Sequence, residues 1–129
     1  MKKIAVSMRN RFFADSVMFM LERAGDFCPA CITETASDRI ILECRAIHPE
    51  ILLLDVTPTS EETMVSGRLN MIKKLREILP DCKIAIFCDE VAHPEQAHET
   101  MRAKQDGLID NFFYASVTGE YFAAALNAI

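Results

Sequence analysis

The sequence predicts an α/β layer fold, and three observations carry that prediction. Ile51-Leu52-Leu53-Leu54 is a continuous apolar run ending on Asp55-Val56, bounded by Pro49 and Pro58. A run of this kind reads as a strand buried on both faces, as in a parallel sheet covered by helices. Ile84-Ala85-Ile86-Phe87 repeats the pattern. Between and around these runs lie segments with apolar residues at helical spacing, and such alternation is the signature of strands joined by right-handed crossovers.

Taken in order, Lys3 to Ser7 is a short β-rich run and the first strand. Phe13, Val17, Met20, Leu21 and Ala24 recur at helical spacing and give an amphipathic helix that closes at Gly25. Phe12 and Phe19 lie on a different side of that helix; they widen its apolar face or form a partner surface. Cys31-Ile32-Thr33 reads as a weak second strand. A second helix runs from about Asp38 to Ala46 with Ser37 as its N-cap, burying Ile40, Ile41, Cys44 and Ile47. Strand three is the Ile51 run, and Thr57 to Ser66 is a polar loop. Leu69, Ile72, Leu75, Ile78 and Leu79 mark a third helix stopped at Pro80-Asp81. Lys83 to Cys88 is strand four. Pro94 opens a fourth helix that ends before Gly107, thinly anchored by Ala97, Met101 and Ala103. Asn111 to Tyr114 is strand five, and Gly119 to the terminus a last helix with Phe122, Leu126 and Ile129 on its core side. Five strands alternating with five helices predict one doubly wound, flavodoxin-like parallel sheet of order 2-1-3-4-5, with Asp55 at a strand's carboxyl end, where such sheets place their crevices.

Bulk properties narrow the function classes. The chain has 129 residues, half of them hydrophobic, enough for one domain with a single core. A formal charge of −5 gives no domain-wide basic field for nucleic acid, and Lys73, Lys74 and Arg76 read as a solvated helix face. Met1-Lys2-Lys3 precedes an apolar segment too short for a signal peptide, and no run reaches membrane-spanning length. Five cysteines without a secretory signal predict reduced thiols and a cytoplasmic protein.

Three motifs then carry a resemblance. His48-Pro49-Glu50-Ile51-Leu52-Leu53-Leu54-Asp55-Val56 resembles the phosphoacceptor strand of bacterial response-regulator receiver domains, the CheY-like family. Leu79-Pro80-Asp81-Cys82-Lys83-Ile84 is similar to the turn entering that family's fourth strand. Asp110-Asn111-Phe112-Phe113-Tyr114-Ala115-Ser116 with Glu120-Tyr121-Phe122 resembles the end of receivers that precede helix-turn-helix DNA-binding domains. The resemblance covers the whole chain and implies two-component signalling, a sensor kinase or other signalling protein as partner, and DNA contact only through a separate output domain. By the same analogy the chain is expected to be the first part of a longer regulator.

The family's chemistry is aspartyl phosphorylation. Magnesium needs hard oxygen ligands to neutralise a carboxylate meeting a phosphoryl donor, hence an acidic pair at the end of strand one. On the family pattern that pair falls at Met8 and Arg9, a soft thioether and a cation. Cys88 stands where the family has Thr or Ser, and Ala115, or Tyr114 one residue off, where it has Lys; no Lys or Arg occurs from Gln105 to Ile129. Only Asp55 survives. Asp89, Glu90, Glu61 and Glu62 are the carboxylates that could rescue a metal site, but as loop residues without the strand-one pair they read as solvated. The expectation is therefore no magnesium and a receiver held in one state or switched by something other than phosphate. The alternatives are an active phosphoacceptor at Asp55 and, in a different class, a flavodoxin-like thiol, redox or cofactor-binding protein. Since strands one and three are neighbours, the side chain of Arg9 is expected to pair with Asp55 in place of the metal.

Other motifs are weaker. Cys28-Pro29-Ala30-Cys31 follows a helix and enters a strand, so the helix N-terminus that activates such thiols is missing. His93, His98 and Glu99 do not form a zinc-protease motif, and no glycine-rich phosphate loop exists. Tyr121 and the small run around Ala124 on helix five, with Phe12 and Phe19 on helix one, suit a helix-packing interface and predict a homodimer.

Overall fold

The computed structural model describes Met1–Ile129. It contains β1 (Lys2–Ser7), α1 (Arg11–Ala24), β2 (Phe27–Cys31), α2 (Ser37–Ile47), β3 (Ile51–Asp55), α3 (Val65–Ile78), β4 (Lys83–Cys88), α4 (Pro94–Gln105), β5 (Asn111–Tyr114) and α5 (Gly119–Ala128). The five strands form one sheet of order β2-β1-β3-β4-β5, every neighbouring pair parallel. β3 is buried from end to end, as its unbroken apolar run requires.

Strand parity divides the core into two layers. Leu52, Leu54, Ile84 and Ile86 face α2, α3 and α4. Ile51, Leu53, Ala85 and Phe113 face α1 and α5, where Phe87, Phe113 and Phe122 pack edge-on. α1 ends on Gly25 in the left-handed conformation, φ 80°, which a glycine adopts without strain.

Several element boundaries differ from the sequence reading. β2 is Phe27–Cys31 and not Cys31–Thr33. Proline at position 29 argues against a strand, yet β2 is an edge. Lys2 donates to Asp26 and Ile32 to Val6, so ladder alternation turns the odd residues outward, and Pro29 lacks an N–H only where none is needed. The N-cap of α2 is Ala36, without a side-chain bond, and Ser37 is the first helical residue. The Ser37 N–H instead donates to Glu62 Oε1 at 3.3 Å, so a neighbouring loop carboxylate does the capping.

α3 starts one turn earlier than its apolar spacing indicated, and its buried stripe is Val65, Arg68, Met71, Ile72 and Leu75. Its uncapped first turn is met from α4: Gln96 Oε1 accepts from the Val65 N–H at 2.8 Å, with Gln96 itself buried. The 57–64 loop folds down over Gly67, where any Cβ would collide with the backbone oxygen of Glu61. Phe12 and Phe19 are 81% and 64% exposed, so they do not extend the buried face of α1.

Candidate functional site

The carboxyl ends of β1 and β3 lie side by side, with Ser7 opposite Leu54. Asp55 therefore meets the two residues that lead into α1. Its Oδ2 accepts the backbone N–H of Arg9 at 3.0 Å and of Asn10 at 3.4 Å. Asn10 is the N-cap of α1, its side chain accepting from the Phe13 N–H at 3.1 Å, which holds this junction rigid. The carboxylate thus sits against the positive end of a helix.

The other oxygen belongs to Arg68. Nη2 of Arg68 donates to Asp55 Oδ1 at 3.2 Å and Nε to the Asp55 carbonyl at 2.9 Å. Arg68 lies in the first turns of α3, whose side chains lean back toward the helix N-terminus, here toward the strand end. The pair is buried, with side-chain exposures of 3% and 8% for Arg68 and Asp55. Burial lowers the pKa of the guanidinium from its ordinary range, and the carboxylate beside it pulls the other way; an arginine in such a pair stays charged.

This corrects the expected role of Arg9. Its side chain is exposed and forms no ion pair; only its backbone N–H touches Asp55. The cation beside Asp55 comes from α3 because Arg9 stands at the mouth of the crevice, whereas Arg68 occupies a core position on its helix. The signal was present in the sequence: an arginine three residues after Val65 and four before Ile72 lies on a buried stripe.

The donor set around Asp55 does not suit the magnesium ion that receivers of this fold employ. Met8 is buried and offers sulfur, and both Asp55 oxygens are engaged by donors that a metal would have to displace. Three of the four loop carboxylates have other partners: Glu62 at α2, Asp89 in its own turn with the Val91 and Ala92 N–H groups, Glu90 accepting from Ser116 Oγ at 3.4 Å. No three His, Cys, Asp or Glu side chains converge anywhere in the chain. A cleft of about 90 Å³ borders Asp55 on its β4 side, lined by Asn10, Phe13, Thr57, Phe87, Asp89 and His93. A larger cavity, about 580 Å³, lies at the opposite end of the strands, around His48, Glu50, Asp81 and Lys83.

Cys88 is buried, and its thiol donates to the Phe113 carbonyl at 3.5 Å. Burial pushes its pKa up to about 12, so it is a neutral, inert thiol. Ala115 closes the β4–β5 end through its N–H to the Cys88 carbonyl at 2.9 Å, and Tyr114 packs edge-on against Phe112 with its face turned out. Neither brings a charge to the crevice. Cys28 and Cys31 lie inside β2 three residues apart, on opposite faces of the sheet, and a disulfide between them would need the strand to break.

Neither a protein-family model nor a curated protein matches the sequence. Solved structures do match the fold. The signal receiver domain of a modulated diguanylate cyclase from Desulfovibrio desulfuricans G20 superposes with a TM-score of 0.75 at 12% identity, over 99% of this chain and 92% of that one. A DNA-binding response regulator of the LuxR family from Staphylococcus aureus gives 0.71 at 13%, over 99% and 98%. A streptococcal redox sensor described as evolved from two-component response regulators gives 0.73 at 16%, over 99% of this chain and 50% of that chain. The chain therefore has the fold of response-regulator receiver domains. No helix is long and apolar enough to cross a membrane.

Proposed function

We propose that the protein is a phosphorylation-independent receiver module, a signalling domain and not an enzyme, whose output is made by protein contact. The observation that carries this reading is the occupation of Asp55. A phosphoacceptor needs one carboxylate oxygen free for in-line attack and a divalent ion to neutralise the charges that meet. Here Oδ1 is held by a buried guanidinium and Oδ2 by two backbone N–H groups. Arg68 supplies permanently the positive charge that a metal supplies transiently. Its attachment to α3 fixes that helix relative to β3, so the domain rests in one state.

The output we infer is transcriptional, through a separate DNA-binding domain, with the exposed aromatics of α1 and α5 forming a homodimer contact. The likeness to a DNA-binding regulator and the exposure of Phe12, Phe19 and Tyr121 support this. A sensor kinase would then serve as a docking partner and not as a phosphoryl donor. The reading is tested by recording amide resonances while adding magnesium and beryllofluoride, a non-covalent mimic of a phosphoryl group. Unchanged resonances around Asp55 and α4 are expected. Saturable shifts that vanish in Asp55→Asn would restore a working phosphoacceptor.

A further inference from the structure

Arg68 has one donor group left over. Nε and Nη2 are bonded to Asp55, but Nη1 is buried without a hydrogen-bond partner in the protein. A charged donor buried and unpaired is costly, and such groups are rare in native proteins. Asp55 does not serve it: Oδ1 accepts from Nη2 and Oδ2 from two backbone N–H groups.

Arg68 also lines a slot on the β1–β2 side of Asp55, with Ser7, Arg9, Glu34, Thr35 and Thr63. The space there is small, about 10 Å³, room for one water or one small ion. Arg9 borders it as well, and Arg68 feels the charges of Asp55 and Glu62, which favour its protonated form, and that of Arg9, which acts against it. Glu34 is the only carboxylate on the slot; it is exposed at the rim and pairs with neither arginine.

We propose that this slot binds one small monovalent anion of chloride size, held by Arg68 Nη1, with Arg9 as the second cation and Ser7 as a hydroxyl donor. Two features favour an anion over a neutral water. The donor left unpaired is charged, and Arg9 borders the slot while no buried carboxylate lines it. Such an ion would brace the end of β1 against α3 on the side away from the phosphoacceptor cleft.

The inference rests on the Asp55–Arg68 geometry, and the test separates the two. Crystals soaked in bromide are examined by anomalous diffraction, and thermal unfolding is followed in chloride and in gluconate at equal ionic strength. The expected result is an anomalous peak within hydrogen-bond reach of Arg68 Nη1. The melting temperature should be higher in chloride. That difference should shrink in Arg9→Ala and grow in Glu34→Gln; both side chains are exposed, so both variants keep the fold. A water or the Glu34 carboxylate on Nη1 in the bromide crystal would overturn the proposal. So would a chloride effect equal in wild type and both variants. Either failure, with the ion pair intact in the same crystal, leaves the reading of Asp55 standing.

Discussion

Asp55 and Arg68 form one unit whose halves cannot be removed singly without cost. Deleting Arg68 leaves a buried carboxylate with two backbone donors and no counter-ion; deleting the Asp55 carboxylate leaves a buried guanidinium with no counter-ion and only the backbone carbonyl of position 55 as acceptor. Breaking a buried pair of this kind typically costs about 3–5 kcal/mol. Arg68→Met and Asp55→Asn are each expected to destabilise by about that much in urea denaturation, and the double variant by less than their sum, with a coupling of at least about 1 kcal/mol. Arg9→Ala, which removes only an exposed side chain, should change stability by about 0.5 kcal/mol or less. Additive effects of the Arg68 and Asp55 substitutions would show that the pair contributes nothing as a pair. The acceptor and its altered neighbours were legible in the sequence because each is a substitution within a recognisable strand. Arg68 was not read, because the apolar spacing placed Leu69, Ile72, Leu75, Ile78 and Leu79 on the inner face, and Ile78 is in fact exposed. A helix phase set by leucines and isoleucines alone hides a cation that is buried for electrostatic reasons.

Among the elements, the strands read most faithfully where burial on both faces leaves an unbroken apolar run; β4 and β5 begin and end where the sequence placed them. β2 was misplaced because Pro29 is tolerated only through ladder alternation at an edge, which depends on the partner strand. The cap of α2 was misassigned because Glu62 reaches it from another loop. Strand and helix placement also decides which thiols react. Cys28 and Cys31 on the edge strand are exposed, while Cys44, Cys82 and Cys88 are buried. Two of the five thiols should therefore react quickly with an aromatic disulfide in the native protein, and all five after denaturation; fast labelling of Cys88 would contradict its placement. Burial raises Cys44 and Cys88 from an ordinary value of 9.0 to about 12. Unfolded thiols lose their protons from about pH 9 and folded ones only near 12, so the unfolded state binds fewer protons between those values. Stability from this source is complete below pH 9 and is lost as pH rises toward 12, by up to about 1.4 kcal/mol per pH unit for each thiol. Cys88→Ala is expected to flatten that alkaline decline, measured by urea midpoints across the window.

At the scale of the whole molecule, α1 and α5 share one face of the sheet and expose aromatic rings where a monomer needs none. Phe12, Phe19 and Tyr121 are at least 64% exposed, and Ala124 beside them is small enough for a second helix to approach closely. The expected outcome is a homodimer by light scattering, dissociated by Phe19→Glu or Ala124→Arg with the fold kept, as judged by circular dichroism. A monomer at high protein concentration would remove α5 from the account.

In the proposed function Arg68 takes the place of the metal and closes Asp55 to phosphoryl transfer. The decisive measurement is intact mass after incubation with acetyl phosphate, with and without magnesium. An unchanged mass under both conditions is the predicted result. The gain of one stable phosphoryl group in the presence of magnesium, absent in Asp55→Asn, would contradict it.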